Sequence, residues 1–470
     1  MTENEPSPTE CGEDEIDELA PFSAVLSVVR LDAVPEAASR LWDSQHPQDH
    51  LARPPVVGAP LHGAYNILFP VEFECRGVRW LLKIPINGTP THWDALSADA
   101  LESEARTMQL ISQRTSVPVP EVFGFSKTPD NPLGCPHMWL SFIPGVSLYD
   151  FWFDQSPAIS DEDRHRRRAR VLQDVADAMM QLGQFSFDRG GRLLFTNSGA
   201  LSGVGPRREL DMHEFQERLM QDNPDYMPVY FESGPFETAN EFYTTALARE
   251  KPAESDYLLG QSRLLDFFLD CTANFFTASA RSFVLTHPDF DIQNFLISPE
   301  GRLVGIIDWD GVGAWPASLG NLRYPGWLTR DWDPGMYGYG SDGILHDPEM
   351  REDSPQTLAR YRKVYRDALR DALGQQGGNQ ADNQADNQPH HTTATLITEN
   401  LAIAVSNPAG RGNILRKIVQ EITAVVKLPC GDERFLYMEL CESLGQGEVD
   451  KEMLDALRSG LEMLLQKEDL

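Results

Sequence analysis

Four polar residues recur at a spacing that can do chemistry: His287, Asp289, Asn294 and Asp308, in Leu285-Thr-His-Pro-Asp-Phe-Asp-Ile-Gln-Asn-Phe-Leu-Ile-Ser298 and Gly301-Arg-Leu-Val-Gly-Ile-Ile-Asp-Trp-Asp310. Two short apolar runs flank the turn Pro299-Glu300-Gly301, which predicts a tight hairpin. For a turn centred there, Asn294 falls opposite Asp308 or within one register of it. Facing Cβ atoms in such a pair lie about 4.5–5.5 Å apart. An amide oxygen and a carboxylate then converge at one end of a buried hairpin. That is a hard-oxygen pair suited to Mg²⁺, which takes one or two protein carboxylates and completes its shell with phosphate and water. Asp289 precedes Asn294 on the entering loop, close enough to accept a proton from an attacking hydroxyl without ligating the metal. For His287 the expectation is a structural one, a ring that holds the loop through hydrogen bonds, with proton transfer as the alternative.

His-x-Asp-x-x-x-x-Asn followed by a distant Asp is the catalytic-loop and metal-loop order of protein-kinase-like enzymes. Here Asp308 is followed by Trp309-Asp310 rather than Phe-Gly. The Ile-Asp-Trp-Asp form resembles the aminoglycoside phosphotransferase and choline kinase-like superfamily, in particular its fungal members. The resemblance covers roughly residues 55–335. It implies an α+β, two-lobed protein-kinase-like fold: a small antiparallel-sheet N-lobe and a larger, mainly helical C-lobe. It also implies ATP and Mg²⁺ as cofactors, Asp289 as catalytic base, and Asn294 and Asp308 as metal ligands. The acceptor it implies is a hydroxyl of a small molecule.

That family needs a strand lysine on the nucleotide phosphates, paired with a helix glutamate. Lys83 stands in the otherwise apolar Trp80-Leu-Leu-Lys-Ile-Pro85, where a lone lysine is costly unless paired. Glu104 follows on a predicted helix. Glu102 competes for the role but is rotated about 200° around that helix. The phosphate loop is expected at Gly63-Ala-Tyr-Asn66, with the amides of Gly63 and Ala64 and the side chain of Asn66 at the nucleotide; an ordinary hairpin turn is the alternative. Ser141-Phe-Ile-Pro-Gly145 resembles the adenine-binding hinge, with Ser141 and Ile143 as its contacts. Two departures stand out. Pro288 replaces the usual glycine between His and Asp, and Leu319-Gly-Asn-Leu-Arg-Tyr-Pro325 lacks the acidic residue common at that place on the substrate side. Asp310, Trp315, Trp327, Asp331, Trp332 and Asp333 either line a pocket for a cationic or sugar-like acceptor or are core and capping residues. No Ala-Pro-Glu sequence follows the metal loop, which favours a small-molecule acceptor over a protein one. The rival reading is a catalytically inactive kinase-like module for nucleotide sensing or protein interaction.

The elements that must position these residues follow from periodicity. Ala64 to Phe73 and Arg79 to Ile84 read as an antiparallel hairpin around Arg76-Gly77, and Met138 to Ile143 as a further strand. Leu101, Ala105, Met108 and Ile111 recur at helical spacing and predict a helix over 98–114. Beyond residue 143 the pattern is helical: an apolar stripe from Val171 to Leu182, then helices over 257–280, 357–373, 395–405, 412–427, 433–444 and 451–466. One β island, 283–310, interrupts them. The division expected is an acidic tail over 1–20, an N-lobe over 46–143, and a C-lobe over 144–470 carrying the catalytic hairpin 283–310. A low-complexity insertion over 374–393 contains a tandem Asn-Gln-Ala-Asp repeat.

Composition narrows the partners. Forty Lys and Arg against seventy-one Asp and Glu give a net charge of −31, a field that repels nucleic-acid backbones. Six cysteines without a C-x-x-C pair fit a reducing compartment. The acidic N-terminus is unlike a signal peptide, and no apolar run is long enough for a membrane helix. The expectation is a soluble, cytoplasmic protein without membrane or nucleic-acid partners; the oligomeric state is left open.

Overall fold

The computed structural model describes residues 18–211, 214, 217–218, 227–249, 253–276, 283–340, 343–347, 349–376, 388–429 and 435–467. Side chains of β3 (Asn66–Phe73) alternate between half-buried and buried, which sends Ile67, Phe69, Val71 and Phe73 to one face of a sheet. β4 (Val78–Pro85) pairs with it antiparallel, with Leu68 opposite Lys83. Gly77, at φ 64°, makes the turn between them in the left-handed region where a Cβ is penalised. β1 (Val56–Val57) and β2 (Leu61–His62) lie on the outer side of β3, and β5 (Val122–Ser126) and β6 (His137–Ser141) continue the sheet in the order β1-β3-β4-β6-β5.

This sheet separates two cores. On one face, Phe69, Phe73, Trp80 and Leu82 pack with Phe22, Val25 and Val34, and with Ala38 and Trp42 of the helix α1 (Val34–Gln45). Trp42 sits 4.9 Å from the Phe73 ring. The sheet lobe, expected to begin at residue 46, therefore shares its core with the segment before it. On the other face lies α2 (Ala95–Arg114), with Leu101, Ala105, Met108 and Ile111 buried. Asp94 caps it by accepting from the Ser97 N–H at 2.7 Å, so it starts one turn earlier than the apolar spacing indicates. Lys83 points to this second face, which is why it meets α2.

The larger lobe is mainly helical, with long helices at Asp161–Leu182, Asp256–Phe276, Pro355–Gln376, Gln388–Ser406, Pro408–Val425, Leu436–Gln446 and Lys451–Leu465. The chain is thus an α+β protein with a small antiparallel-sheet lobe and a larger helical one. The expectation of a single β island in this lobe is overturned. Short strands also occur at Ser186–Phe187, Arg192–Phe195, Leu201–Gly205, Arg207–Leu210, Tyr230–Ser233 and Gly313–Pro316. They run two to five residues, too short to show a period of two in the sequence. The helices beside the Asn-Gln-Ala-Asp repeat run to Gln376 and resume at Gln388. Residues 377–387 and 1–17 lie outside the described residues.

Candidate active site

The hairpin Phe295–Ile297/Leu303–Ile306 sets the geometry at its open end. Phe295 pairs with Ile306, and the Ile307 N–H donates to the Asn294 carbonyl at 2.9 Å. Asn294 therefore faces Ile307, one position from Asp308. Asp308 has φ 61°, the one non-glycine residue with positive φ among the described residues. Left-handed backbone at an aspartate costs of order 1 kcal/mol and is held here by the surrounding structure. The Asn294 amide donates to the Asp289 carbonyl at 2.9 Å and to Asp289 Oδ2 at 2.8 Å, and Gln293 donates to that same oxygen at 2.9 Å. Asp289 Oδ1, Asn294 Oδ1 and both Asp308 carboxylate oxygens accept no hydrogen bond from a described residue.

That donor set is what a hard cation requires: one carboxylate and one amide oxygen, with the rest of the shell left to phosphate and water. Among the described residues no three His, Cys, Asp or Glu side chains cluster as a metal cage. A Mg²⁺ site of this kind does not need one. Burial, against the pull of Lys83 and with the push of Asp310 and Asp289, raises the Asp308 carboxyl above its ordinary value. A bound cation reverses that balance.

His287 is buried and joins the two halves of the site. Its Nε2 faces the Ile307 carbonyl at 2.9 Å, and its Nδ1 accepts from the Asp289 N–H at 3.2 Å. Those two bonds require the neutral ring protonated at Nε2. Burial drives its pKa down to about 4, so the ring is neutral near pH 7. Arg323 donates to the His287 carbonyl at 2.9 Å and pairs with Glu399 at 3.1 Å, buttressing the loop from the helical side. The departure at Leu319–Pro325 thus supplies a loop clamp.

Lys83 and Glu104 form a buried ion pair at 2.7 Å. Burial opposes the ammonium, yet Glu104, with Asp310 and Asp308 beyond, holds Lys83 above its ordinary value. Burial pushes Glu104 up and Lys83 pulls it back. Glu102 is turned away and pairs with Lys127 at 2.5 Å. Asn66 faces the same small cavity as Lys83, Glu104 and Asp310. Gly63 and Ala64 form the exposed β2–β3 turn; the Gly63 N–H is engaged by the Asn66 carbonyl at 3.0 Å, whereas that of Ala64 has no described partner. At the lobe junction the Ser141 N–H and hydroxyl are both engaged with Glu121, at 2.9 Å each. The backbone groups of Ile143 have no described partner, and its side chain lies over Gly305.

Asp310 does not face an acceptor pocket. It is held by Arg208, whose Nη2 lies 3.0 Å from Oδ1 and 3.2 Å from Oδ2. Burial works against the Asp310 carboxylate, but Arg208 and Lys83 keep it below its ordinary value. Arg208 comes from one of the short strands and carries no signal of type or spacing in the sequence. Of the other acidic and aromatic candidates, Trp327 and Trp332 are core residues. Asp331 pairs with buried Arg362 at 2.7 Å, Asp333 accepts from the Gly335 N–H, and Trp315 stacks under Arg207 at 4.4 Å. They are packing and capping residues.

The model of a family described as "Phosphotransferase enzyme family" matches residues 74–318. A subtelomeric hrmA-associated cluster protein of Aspergillus fumigatus is 23% identical over 328 residues, 59% of this chain and 61% of that protein. The chain thus spans less than two thirds of that relative. Among solved structures, a thermostable mutant of the aminoglycoside phosphotransferase APH(4)-Ia, in a ternary complex with ADP and hygromycin B, is 12% identical, with a TM-score of 0.39 over 88% of this chain and 100% of that one. A Plasmodium vivax ethanolamine kinase is 10% identical, with a TM-score of 0.37 over 83% of this chain and 84% of that one.

Proposed function

Because this chain belongs to the phosphotransferase enzyme family, we propose that it transfers the γ-phosphoryl group of ATP, with Mg²⁺, to a hydroxyl of a small molecule. The observation that carries this reading is the set of unengaged oxygens on Asp289, Asn294 and Asp308 beside the Lys83–Glu104 pair. Asn294 and Asp308 would hold Mg²⁺, which would supply positive charge against the phosphate groups during transfer. Lys83, steadied by Glu104, contacts the α- and β-phosphates. Ala64, Asn66 and Ile143 border the nucleotide, with backbone groups of Ile143 available to adenine. Asp289 orients the acceptor hydroxyl and takes its proton on Oδ1, while its Oδ2 is fixed by Asn294 and Gln293. The acids expected to recognise a cationic acceptor are engaged elsewhere among the described residues: Asp310 and Asp331 pair with arginines and Asp333 caps a turn.

The test is ³¹P NMR of Mg-ATP with the full chain and a pool of hydroxyl-bearing metabolites. A new phosphomonoester is expected, absent with Asp289→Asn, while nucleotide affinity is unchanged in that variant. Tight Mg-ATP binding without any phosphoryl transfer across the pool supports the inactive-module reading instead.

A further inference from the structure

One cation in the cleft was not foreseen from the sequence. The strand Arg207–Leu210 pairs with Tyr230–Ser233, forming a two-stranded sheet apart from the others. Strand alternation sends neighbouring side chains to opposite faces. Arg207 goes outward from the site: it pairs with Glu209 at 2.7 Å and stacks on Trp315 and Phe242 at 4.4 and 4.5 Å. This fixes the strand to the helical lobe. Arg208 then points the other way, into the cavity bordered by Asn66, Lys83, Glu104 and Asp310. Its guanidinium lies 4.1 Å from the Tyr230 ring centroid, and the side chain is 9% exposed.

Among the described residues, one of its nitrogens is engaged. Nη2 makes both contacts to Asp310, and Nε and Nη1 make no hydrogen bond to a described residue. A nearly buried guanidinium with N–H donors to spare, beside the lysine expected to touch nucleotide phosphates, is placed to give a charge-assisted hydrogen bond to a phosphoryl oxygen. Resting on the phosphotransferase reading above, we propose that Arg208 is a phosphate-binding residue of the nucleotide site. Asp310 holds the guanidinium through Nη2, and Nη1, on the far side of the guanidinium from Nε, donates a single charge-assisted hydrogen bond to a β- or γ-phosphate oxygen. The Arg207–Leu210 strand thus supplies a second cation beside Lys83, facing Glu104 and Asp310.

The experiment is calorimetric titration of the full chain with Mg-ATP, Mg-ADP and adenosine, on wild type and Arg208→Met, which keeps an unbranched chain over Tyr230. Charge-assisted hydrogen bonds of this kind are worth about a tenfold to hundredfold change in affinity. The variant is expected to lose that much for Mg-ATP and to keep its affinity for adenosine. Should Arg208→Met fail to fold, Arg208→Lys preserves the charge but cannot hold Asp310 and reach a phosphate with separate nitrogens, and about a threefold to tenfold loss for Mg-ATP is expected. Unchanged Mg-ATP affinity in the folded variant overturns the proposal. Tighter Mg-ATP binding also overturns it and makes Arg208 a plug on Asp310. A wild-type chain that binds neither Mg-ATP nor adenosine fails the phosphotransferase reading itself.

Discussion

The His287 ring is the hinge pin of the candidate site, because its two nitrogens tie the Asp289 backbone to the Ile307 backbone. Its folded pKa of about 4 lies below its ordinary 6.5, so on acidification the unfolded chain takes up the proton first. The stabilisation is fully present above about pH 6.5 and is lost as pH falls toward 4. Through this group alone the fold should be about 2 kcal/mol less stable near pH 5 than near pH 7. Urea unfolding at the two pH values should show that loss, and a His287→Gln variant should flatten it. An identical pH dependence in the variant would remove His287 from the account. At Lys83, removing the cation alone strands a buried carboxylate. Lys83→Ala is expected to cost about 3 kcal/mol, and the double variant Lys83→Met/Glu104→Leu to recover much of it. Equal losses in the single and double variants would contradict the pairing. Lys83 and Glu104 were legible because a lysine in an apolar strand demands a partner, and helix rotation chose Glu104 over Glu102. Arg208 was not legible, since nothing in Arg207-Arg208-Glu-Leu210 distinguishes it from solvated charge until the strand pairing aims it.

At the level of elements, the β3–β4 hairpin was readable from its branched and aromatic runs about the Arg76-Gly77 turn, and α2 from its apolar repeat. The short strands of 186–233 were not readable, because a strand of two to five residues is defined by its partner rather than by its own pattern. The N-terminal helix α1 was passed over as well, though Trp42 is buried against Phe73 and Trp80. Trp42→Ala is therefore expected to destabilise the sheet lobe by about 3–5 kcal/mol, read by urea unfolding. A loss within experimental error would mean that α1 is an appendage. Just past the Phe295–Ile297/Leu303–Ile306 hairpin, the backbone at Asp308 is strained at φ 61°. Asp308→Gly should leave thermal stability unchanged or raise it by of order 1 kcal/mol, while abolishing any Mg²⁺-dependent response. A variant that melts well below wild type would show that the Asp308 side chain stabilises the loop without metal.

Across the whole molecule, a chain of net charge −31 gathers buried cations at the junction of its lobes, Lys83 paired with Glu104 and Arg208 paired with Asp310, near Asp308, whose carboxylate accepts no hydrogen bond from a described residue. Such a cleft suits an anionic ligand that arrives with its own divalent cation. Among the described residues no helix is long and apolar enough to cross a membrane. The most direct test is the melting temperature of the full chain with Mg-ATP, with ATP and a chelator, and with neither. Binding at a hundredfold excess over Kd stabilises by about 2.7 kcal/mol. The predicted result is a clear rise with Mg-ATP, little or none when the metal is chelated, and no Mg²⁺-dependent rise in Asp308→Ala. Equal shifts with and without Mg²⁺, or an Asp308→Ala variant that responds as wild type does, would contradict the assignment of Asn294 and Asp308 as the metal's ligands.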